Sequence, residues 1–330
     1  MIEDLQTVID DHMEKNKQAK LRRAGTTNIN DDYLEFEEMM DYVEQMGEQC
    51  GDRCEVIDIG HSYENNVIKV IKVLESTDKQ VAWIDGGIHA REWIAHAVTL
   101  YFIDRMVNGL DSDPLVQQMV ATHDWYFLPC VNPDGYIYTH TTNRNWRKTR
   151  VPNDGSTCVG ADANRNFDHN FGGIGTSDNP CSDTFHGDYA YSQPCTAALS
   201  SFVESNIPEG SRSTFVTIHS YSQLWMAPWG YTTDRPENYD DLMRVGNAAA
   251  SALQDVHGTR YTVGSASEIL YASSGTSRDW AYGVPGFEFV YTIELRDTGE
   301  HGFFLPPEQI LPSQEETWAG IRAMYTAIMQ

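Results

Sequence analysis

The sequence predicts a single α/β domain whose central β-sheet is mixed, mostly parallel and flanked by helices. Three observations support this fold class. The chain has 330 residues, 41% of them hydrophobic, which is enough to bury a core without help from disulfides or metals. Short apolar runs alternate with segments of helical periodicity along most of the chain. No linker, repeat or low-complexity block divides it.

The N-terminal residues have a pattern of their own. Apolar residues recur at helical spacing from Ile2 to Met13, and a basic run follows that ends in Arg22 and Arg23. Two interpretations stay open: a short helix with a protease-cut dibasic end, or a terminal helix with a solvated tip. The first residues are acidic and mixed rather than basic and then apolar, so they do not resemble a signal peptide. We therefore expect the chain to be a processed form.

From residue 33 onward, predicted helices and strands alternate. The periodicity of residues 34–46 predicts a helix that stops before Cys50, and residues 92–106 predict a buried helix. The turn at residues 132–135 ends one of the strands. Residues 312–329 are predicted to form the closing helix. The predicted strands are residues 67–74, 81–85, 125–131, 214–219 and 287–294.

Charge and cysteine content limit the classes of function. The chain carries 48 acidic and 23 basic residues, a net charge of −25, which repels phosphates and excludes a general nucleic-acid binder. No apolar run approaches the roughly 20 residues of a membrane-spanning helix. The six cysteines fit disulfides formed in an oxidising compartment. They fit equally well the reduced core cysteines of a cytosolic enzyme.

Three predicted strands end in polar side chains that a hydrophobic core would not select. His89 and Glu92 follow one strand, His219 ends another and Glu294 ends a third. Sites in α/β sheets assemble at the carboxyl ends of strands, and imidazole with carboxylate is a ligand set of catalytic zinc. The His-x-x-Glu pattern alone is weak, and a single histidine at a strand end is more often a core residue. Their combination predicts a metal site.

Basic residues are concentrated in residues 144–150, and Arg165 follows. Such a run is usually a solvated face or a nucleic-acid patch. Here Trp146 lies inside the run and the surrounding charge is negative. Because a guanidinium group binds a carboxylate through two parallel hydrogen bonds, arginines beside a metal suit a substrate that carries a carboxylate.

Five segments together resemble the zinc carboxypeptidases of the pancreatic A/B type, a secreted, digestive family. They occur in the family's order and at its spacing, from about residue 24 to the C-terminus. The resemblance implies a zinc peptidase with one Zn²⁺ per chain that hydrolyses the C-terminal peptide bond of peptides and proteins. The segments are residues 87–93, 143–150, 162–166, 219–223 and 294–299.

The resemblance implies a role for each site residue. His89, Glu92 and His219 would bind zinc. Glu294 would act as general base toward the attacking water and then carry the proton to the leaving amine. Arg147 would polarise the scissile carbonyl and stabilise the oxyanion. The substrate-binding residues would be Asn164, Arg165 and Tyr271, which hold the terminal carboxylate, and Arg91 and Tyr221, which line the approach for upstream residues.

The resemblance also implies processing and secretion. Residues 1–23 would be the C-terminal remnant of an activation pro-segment, cut near Arg23 by a trypsin-like protease, and residues 24–330 the catalytic domain. We expect a secreted monomer that binds neither membranes nor nucleic acid. Cys158 and Cys181 match the family's disulfide. The resemblance does not give the partners of the other four cysteines, although the first two are close enough to pair: Cys50, Cys54, Cys130 and Cys195.

One position departs from the familiar members of the family. Residues 270–280 align without gaps and place Arg278 at the base of the pocket for the C-terminal side chain. The A type carries an apolar residue there and the B type an aspartate. An arginine predicts a preference for Glu or Asp, as in glutamate-preferring members, by a charge-assisted hydrogen bond of about 1.5–3 kcal/mol. If Arg278 instead folds onto an internal acid such as Asp279, apolar C-termini would be preferred.

Other classes of function compete with this interpretation. A non-catalytic member of the fold would bind C-terminal carboxylates without cleaving them, but the sequence retains Glu294 and the zinc ligands. A cytosolic deglutamylase would share the zinc site, and the dibasic N-terminal segment and the Cys158 and Cys181 pair argue against it. A basic-patch interaction protein would leave five ordered motifs unexplained.

Overall fold

The computed structural model describes residues 4–22, 27–74 and 79–330. In this part of the chain, eight strands form one mixed sheet with helices on both faces, which confirms the predicted fold class. The strands are β1 (Cys54–His61), β2 (Val67–Val73), β3 (Gln80–Gly86), β4 (His123–Leu128), β5 (Arg212–Ser220), β6 (Leu224–Ala227), β7 (Thr262–Ser265) and β8 (Phe289–Leu295).

The sheet is parallel at its centre. Its strand order is β1-β2-β4-β3-β5-β8-β6-β7. The neighbours β4, β3, β5 and β8 run parallel, and so do β6 and β7. The pairs β1–β2, β2–β4 and β6–β8 are antiparallel. The carboxyl ends of β3, β5 and β8 therefore meet at one edge of the sheet, where α/β proteins place their sites.

Helices cover both faces of this sheet because alternate residues of each strand point to opposite sides. In β3, Ala82 and Ile84 belong to one hydrophobic cluster, whereas Val81 and Trp83 belong to the other. The helices are α1 (Leu5–Arg22), α2 (Phe36–Cys50), α3 (Trp93–Gly109), α4 (Pro114–Thr122), α5 (Pro133–Thr141), α6 (Pro194–Asn206), α7 (Tyr239–His257), α8 (Ala266–Ile269), α9 (Ser277–Gly283) and α10 (Ile310–Ile328).

Several predicted boundaries are corrected by local chemistry. Strand β4 ends at Leu128, not at residue 131, because Pro129 has no N–H to donate to a neighbouring strand. Helix α2 continues through Cys50 and ends there, followed by Gly51, whose positive φ of 62° suits glycine. Helix α10 begins before Pro312, which its first turn tolerates since those N–H groups have no partner in the helix.

The N-terminal helix α1 packs against the domain along one face. His12, Asn16 and Ala19 are buried at helical spacing. Asn16 Oδ1 accepts from the backbone N–H of Tyr33 at 2.7 Å, and its Nδ2 donates to the Tyr33 carbonyl at 3.2 Å. His12 Nε2 lies 3.2 Å from the carbonyl oxygen of Leu305. The end of this segment, including Arg23, lies outside the described residues.

The cysteines divide into two disulfides and two buried thiols. Cys158 is joined to Cys181, and Cys50 to Cys54. The remaining two, Cys130 and Cys195, are free and buried. Among the helices that the structure describes, none combines the length and apolar character needed to cross a membrane.

Candidate active site

The candidate site lies where β3, β5 and β8 end. Residues His219 and Glu294 are partners in the register of β5 and β8, so their side chains start from neighbouring positions. His89 and Glu92 lie in the segment between β3 and α3. That segment turns at Gly87, where φ is +74° and a Cβ atom would lie 1.9 Å from the His96 ring. Only glycine allows this path, which brings the first two ligands to the end of β5.

His89, Glu92 and His219 form a buried cluster. Their ligand atoms all lie within 4.8 Å of one another. Glu92 Oε1 is 2.9 Å from His89 Nδ1, and Glu92 Oε2 is 3.0 Å from His219 Nδ1. The two Nδ1 atoms are themselves 3.1 Å apart. Two imidazole nitrogens and a carboxylate oxygen that converge in this way fit a catalytic zinc ion.

Glu92 is buried as an anion. Burial would raise the pKa of its carboxyl, but His89 and His219 lower the pKa below its usual range. The backbone N–H of Ser220 also donates to Glu92 Oε2, at 3.2 Å. A carboxylate held ionised in a buried position is suited to binding a cation.

Asp162 connects the cluster to Arg147, a role that the sequence analysis did not assign. Its Oδ1 is 3.0 Å from His89 Nε2, and its Oδ2 is 2.6 Å from Arg147 Nη2. Burial would raise the pKa of Asp162, but the charge of Arg147 beside it holds the pKa well below its usual range. A carboxylate on the far nitrogen of a ligand histidine orients the ring and increases its basicity.

We expect Asp162→Asn to weaken zinc binding roughly 10–100-fold, because the amide supports His89 less well than a carboxylate does. Titration with a competing chelator would measure the change. The control is Asp183→Asn, since Asp183 carries an exposed carboxylate on Arg91 and makes no contact with His89. Equal zinc affinity in both variants would show that Asp162 does not support the metal site.

The predicted catalytic residue Arg147 and the predicted substrate-binding residues Asn164 and Arg165 line the same cleft as the cluster. Arg147 Nη1 lies 3.2 Å from His89 Nδ1 and 3.8 Å from Glu92 Oε1. Asn164 Nδ2 lies 3.4 Å from His219 Nε2, while its Oδ1 accepts from the backbone N–H of Ser277 at 2.8 Å. Arg165 is buried and donates from Nε to the Gly175 carbonyl at 3.0 Å. These polar groups are fixed before any substrate binds.

An aromatic side chain, Phe303, forms part of one wall of the cleft. The guanidinium carbon of Arg91 lies 4.2 Å from the centre of its ring, and the Tyr221 ring packs edge-on at 5.0 Å. Arg91 Nη1 is also 3.3 Å from Asp183. By contrast, Tyr271 is 54% exposed at the opening of the cleft. Its side chain therefore has room to move toward a bound substrate.

Arg278 lies in the same cleft and is 4% exposed. Its Nε donates to Asp279 Oδ1 at 3.0 Å, and its Nη1 lies 3.4 Å from Thr292 Oγ1. Its Nη2 is buried and has no hydrogen-bond partner within residues 4–22, 27–74 and 79–330. Asp279 thus takes up one nitrogen of the guanidinium group and leaves Nη2 without a partner.

Glu294 lies near the end of β8 and lines the same cleft as the metal ligands. Burial raises the pKa of Glu294 well above its usual range, and the neighbouring Glu92 carboxylate raises it further. A carboxylate with a raised pKa is a stronger base than a free one. The position and the chemistry both suit a group that accepts a proton from a water molecule.

All predicted metal, catalytic and substrate-binding residues line one cleft of about 250 Å³. Sequence reasoning missed several neighbours of these residues. Asp162 was inside a quoted motif, and Thr292 stands two positions before Glu294 on β8, which places both side chains on one face of the strand. Phe303 had no comparable signal, because it lies in a single-turn 3-10 helix, Gly302–Phe304, which is too short to show a periodic pattern.

A mixed α/β sheet with a buried His–Glu–His cluster and convergent arginines defines a metal-dependent hydrolase. The family follows from comparison with known proteins: the zinc carboxypeptidase model matches residues 39–320, and the chain belongs to that family. It is therefore a metallocarboxypeptidase, and its cofactor is zinc.

Individual relatives agree with this assignment. Carboxypeptidase A2 from Mus musculus is 40% identical over 324 residues, covering 98% of this chain and 77% of the relative. Carboxypeptidase O from Bos taurus is 44% identical over 265 residues, covering 80% of this chain and 70% of the relative. A solved structure of bovine thrombin-activatable fibrinolysis inhibitor in complex with tick carboxypeptidase inhibitor is similar at a TM-score of 0.85. It is 35% identical in sequence and covers 92% of this chain and 99% of that one.

Proposed function

We propose that the enzyme removes acidic residues, Glu or Asp, from the C-termini of peptides and proteins. The observation that carries this proposal is the Arg278 guanidinium group, buried in the cleft with Nη2 lacking a hydrogen-bond partner among the described residues. A substrate carboxylate would give the guanidinium group a second anionic partner besides Asp279, whereas an apolar side chain would leave Nη2 without a partner. Each effect favours an acidic C-terminal residue.

The remaining side chains fit the roles that a C-terminal exopeptidase needs. The terminal carboxylate would be held by Asn164, Arg165 and Tyr271. The enzyme would therefore cleave only at a free C-terminus. Arg147 would donate to the oxygen of the scissile carbonyl as negative charge develops there. Its position beside the metal ligands supports this role, since Nη1 is 3.2 Å from His89 Nδ1. Arg91 and Tyr221 would guide upstream residues along the Phe303 wall.

Glu294 would perform the proton transfers. It would accept a proton from the attacking water and donate that proton to the leaving amine as the peptide bond breaks. His89, Glu92 and His219 would hold the zinc ion, which supplies Lewis acidity to the water and the carbonyl. Because Asp162 fixes both His89 and Arg147, the carbonyl donor and the metal ligand keep a constant relative position.

A second specificity is favoured by one contact. Asp279 Oδ1 is 3.0 Å from Arg278 Nε, so part of the arginine charge is neutralised inside the protein. With stronger neutralisation, the pocket would accept apolar or aromatic C-terminal residues, as in an A-type carboxypeptidase. The unpaired Nη2 argues for the acidic preference over this alternative.

A substrate panel tests the proposal directly. Peptides that differ only in a final Glu, Asp, Phe, Leu, Lys or Gln are compared by kcat/KM, with and without a zinc chelator. We expect Glu or Asp to lead by roughly ten- to a hundredfold over Leu, and chelation to abolish turnover of every peptide. A lead by Phe or Leu would establish the apolar specificity instead, and turnover that survives full zinc removal would contradict the catalytic assignment.

We also infer that residues 1–23 are the remnant of an activation pro-segment and that residues 24–330 are the catalytic domain of a secreted enzyme. The two disulfides support secretion, since such bonds form in oxidising compartments. A monomer is expected because a single chain supplies every residue of the site.

Limited digestion with trypsin tests the pro-segment. We expect the product to begin at Ala24, because the basic pair Arg22 and Arg23 precedes it. N-terminal sequencing and mass measurement identify the cut, and the substrate panel before and after digestion shows whether the segment inhibits. If the intact chain resists trypsin at this position, residues 1–23 are a permanent part of the enzyme.

A further inference from the structure

Gly230 lies directly against the Arg278 guanidinium group. A Cβ atom at position 230 would lie 1.9 Å from Arg278 Nη2. The next contacts would be the Ser273 carbonyl oxygen at 3.0 Å and Ser273 Oγ at 3.1 Å. The arginine side chain is therefore the main reason that position 230 has no room for a side chain.

The backbone of Gly230 also supports Arg278 indirectly, through Asp279. Its N–H group lies 3.0 Å from Asp279 Oδ1 and 2.9 Å from Asp279 Oδ2. The N–H of Tyr231 donates to Asp279 Oδ2 at 3.2 Å. The same carboxylate accepts from Arg278 Nε, so the Gly230 backbone anchors the group that orients the guanidinium.

We propose that Gly230 is a specificity-positioning residue: its lack of a side chain leaves room for the Arg278 guanidinium group, and its N–H anchors Asp279, so that the guanidinium group keeps its place at the cleft. This inference rests on the proposed acidic specificity. Gly230 acts through Arg278 and does not touch the reacting atoms. The preference for an acidic residue thus depends on two positions, one charged and one without a side chain.

Alanine at position 230 is compatible with the backbone. Gly230 is not among the glycines of the described chain that have positive φ, so the added methyl group would not strain the main chain. The methyl group would instead displace Arg278 Nη2. The zinc ligands and Glu294 would keep their positions, and the loss would therefore fall on substrate binding.

The test compares the wild type, Gly230→Ala, Arg278→Ile and the double variant, using peptides that end in Glu or in Leu. We expect Gly230→Ala to lower kcat/KM for the Glu peptide at least about tenfold, mainly by raising KM. The same variant should change kcat/KM for the Leu peptide less than about threefold. In the Arg278→Ile background, Gly230→Ala should change kcat/KM for either peptide less than about twofold, because the guanidinium group that the methyl group would meet is absent.

Gly210→Ala is the matched control, since a Cβ atom there would have no neighbour within 4 Å. It should leave kcat/KM for both peptides, and the melting temperature, at the wild-type values. If Gly230→Ala is equally harmful with Arg278 present or absent, the clash is with Ser273 and the inference is wrong.

The outcomes separate this inference from the specificity proposal. If the wild type prefers Glu and Arg278→Ile removes that preference, but Gly230→Ala leaves the ratio of Glu to Leu turnover unchanged, only the role of Gly230 is overturned. If the wild type prefers Leu, or Arg278→Ile leaves the ranking unchanged, the specificity proposal falls and the role of Gly230 falls with it.

Discussion

Glu294→Gln is expected to retain zinc and to lose roughly 10²–10⁴-fold in kcat for every C-terminal residue, because only the proton acceptor is removed. Glutamine keeps the size and shape of the side chain at the end of β8, but its amide cannot take a proton from water. The metal ligands His89, Glu92 and His219 are untouched. A uniform loss in kcat with little change in KM is the signature of a group that acts in the transition state.

The measurement pairs steady-state kinetics with zinc analysis of the same sample. Glu300→Gln is the matched control, since Glu300 lies five positions after the end of β8 and is exposed. That variant should have wild-type kinetics. If Glu294→Gln keeps more than about a tenth of the wild-type kcat with full zinc occupancy, another group supplies the base.

The metal cluster was predictable from the sequence for a physical reason. Several polar residues directly after apolar runs are unfavourable in a hydrophobic core, and the carboxyl ends of parallel strands meet at one edge of a sheet. His219 and Glu294 were therefore expected to be neighbours, and the register of β5 and β8 pairs them. The central strands were predicted for the same reason, because strands buried on both faces read as continuous apolar runs.

The contacts that tune the site could not be predicted in this way. Asp162 bridges His89 and Arg147 across 73 and 15 positions of the sequence, and no local pattern reports such a pairing. The short strands β6 and β7 are four residues each, too short to show a period. The role of Gly230 could not be predicted from the sequence, because a glycine indicates only that a side chain is absent and not which group occupies the space.

The sequence predicted the place of Arg278 in the pocket but not which of its nitrogens would find a partner inside the protein. Its place in an ungapped segment predicted a pocket residue, and the internal partner Asp279 was the stated alternative. The structure contains features of both interpretations: Nε is paired with Asp279, and Nη2 lacks a partner among the described residues. One side chain with several donors can satisfy an internal contact and still offer a donor to a ligand.

Arg278→Ile is expected to reverse the ranking of C-terminal residues. Turnover of a Glu peptide should fall roughly ten- to a hundredfold in kcat/KM, the value of one charge-assisted hydrogen bond. Turnover of Leu and Phe peptides should rise, because their side chains no longer pack against a buried guanidinium group whose Nη2 lacks a partner. Zinc content and the response to chelation should stay at wild-type values, since Arg278 is not a metal ligand.

Arg260→Ile is the control for the loss of one positive charge, because Arg260 is exposed and is not among the residues that line the cleft. The net charge of −25 slows the approach of acidic peptides at low ionic strength, so both variants are measured at two salt concentrations. Long-range repulsion is screened by salt, whereas the contact with Arg278 is short and buried. A Glu preference that survives high salt in the wild type and disappears only in Arg278→Ile would assign specificity to this side chain. An unchanged ranking would show that Arg278 is neutralised by Asp279 and does not select the substrate.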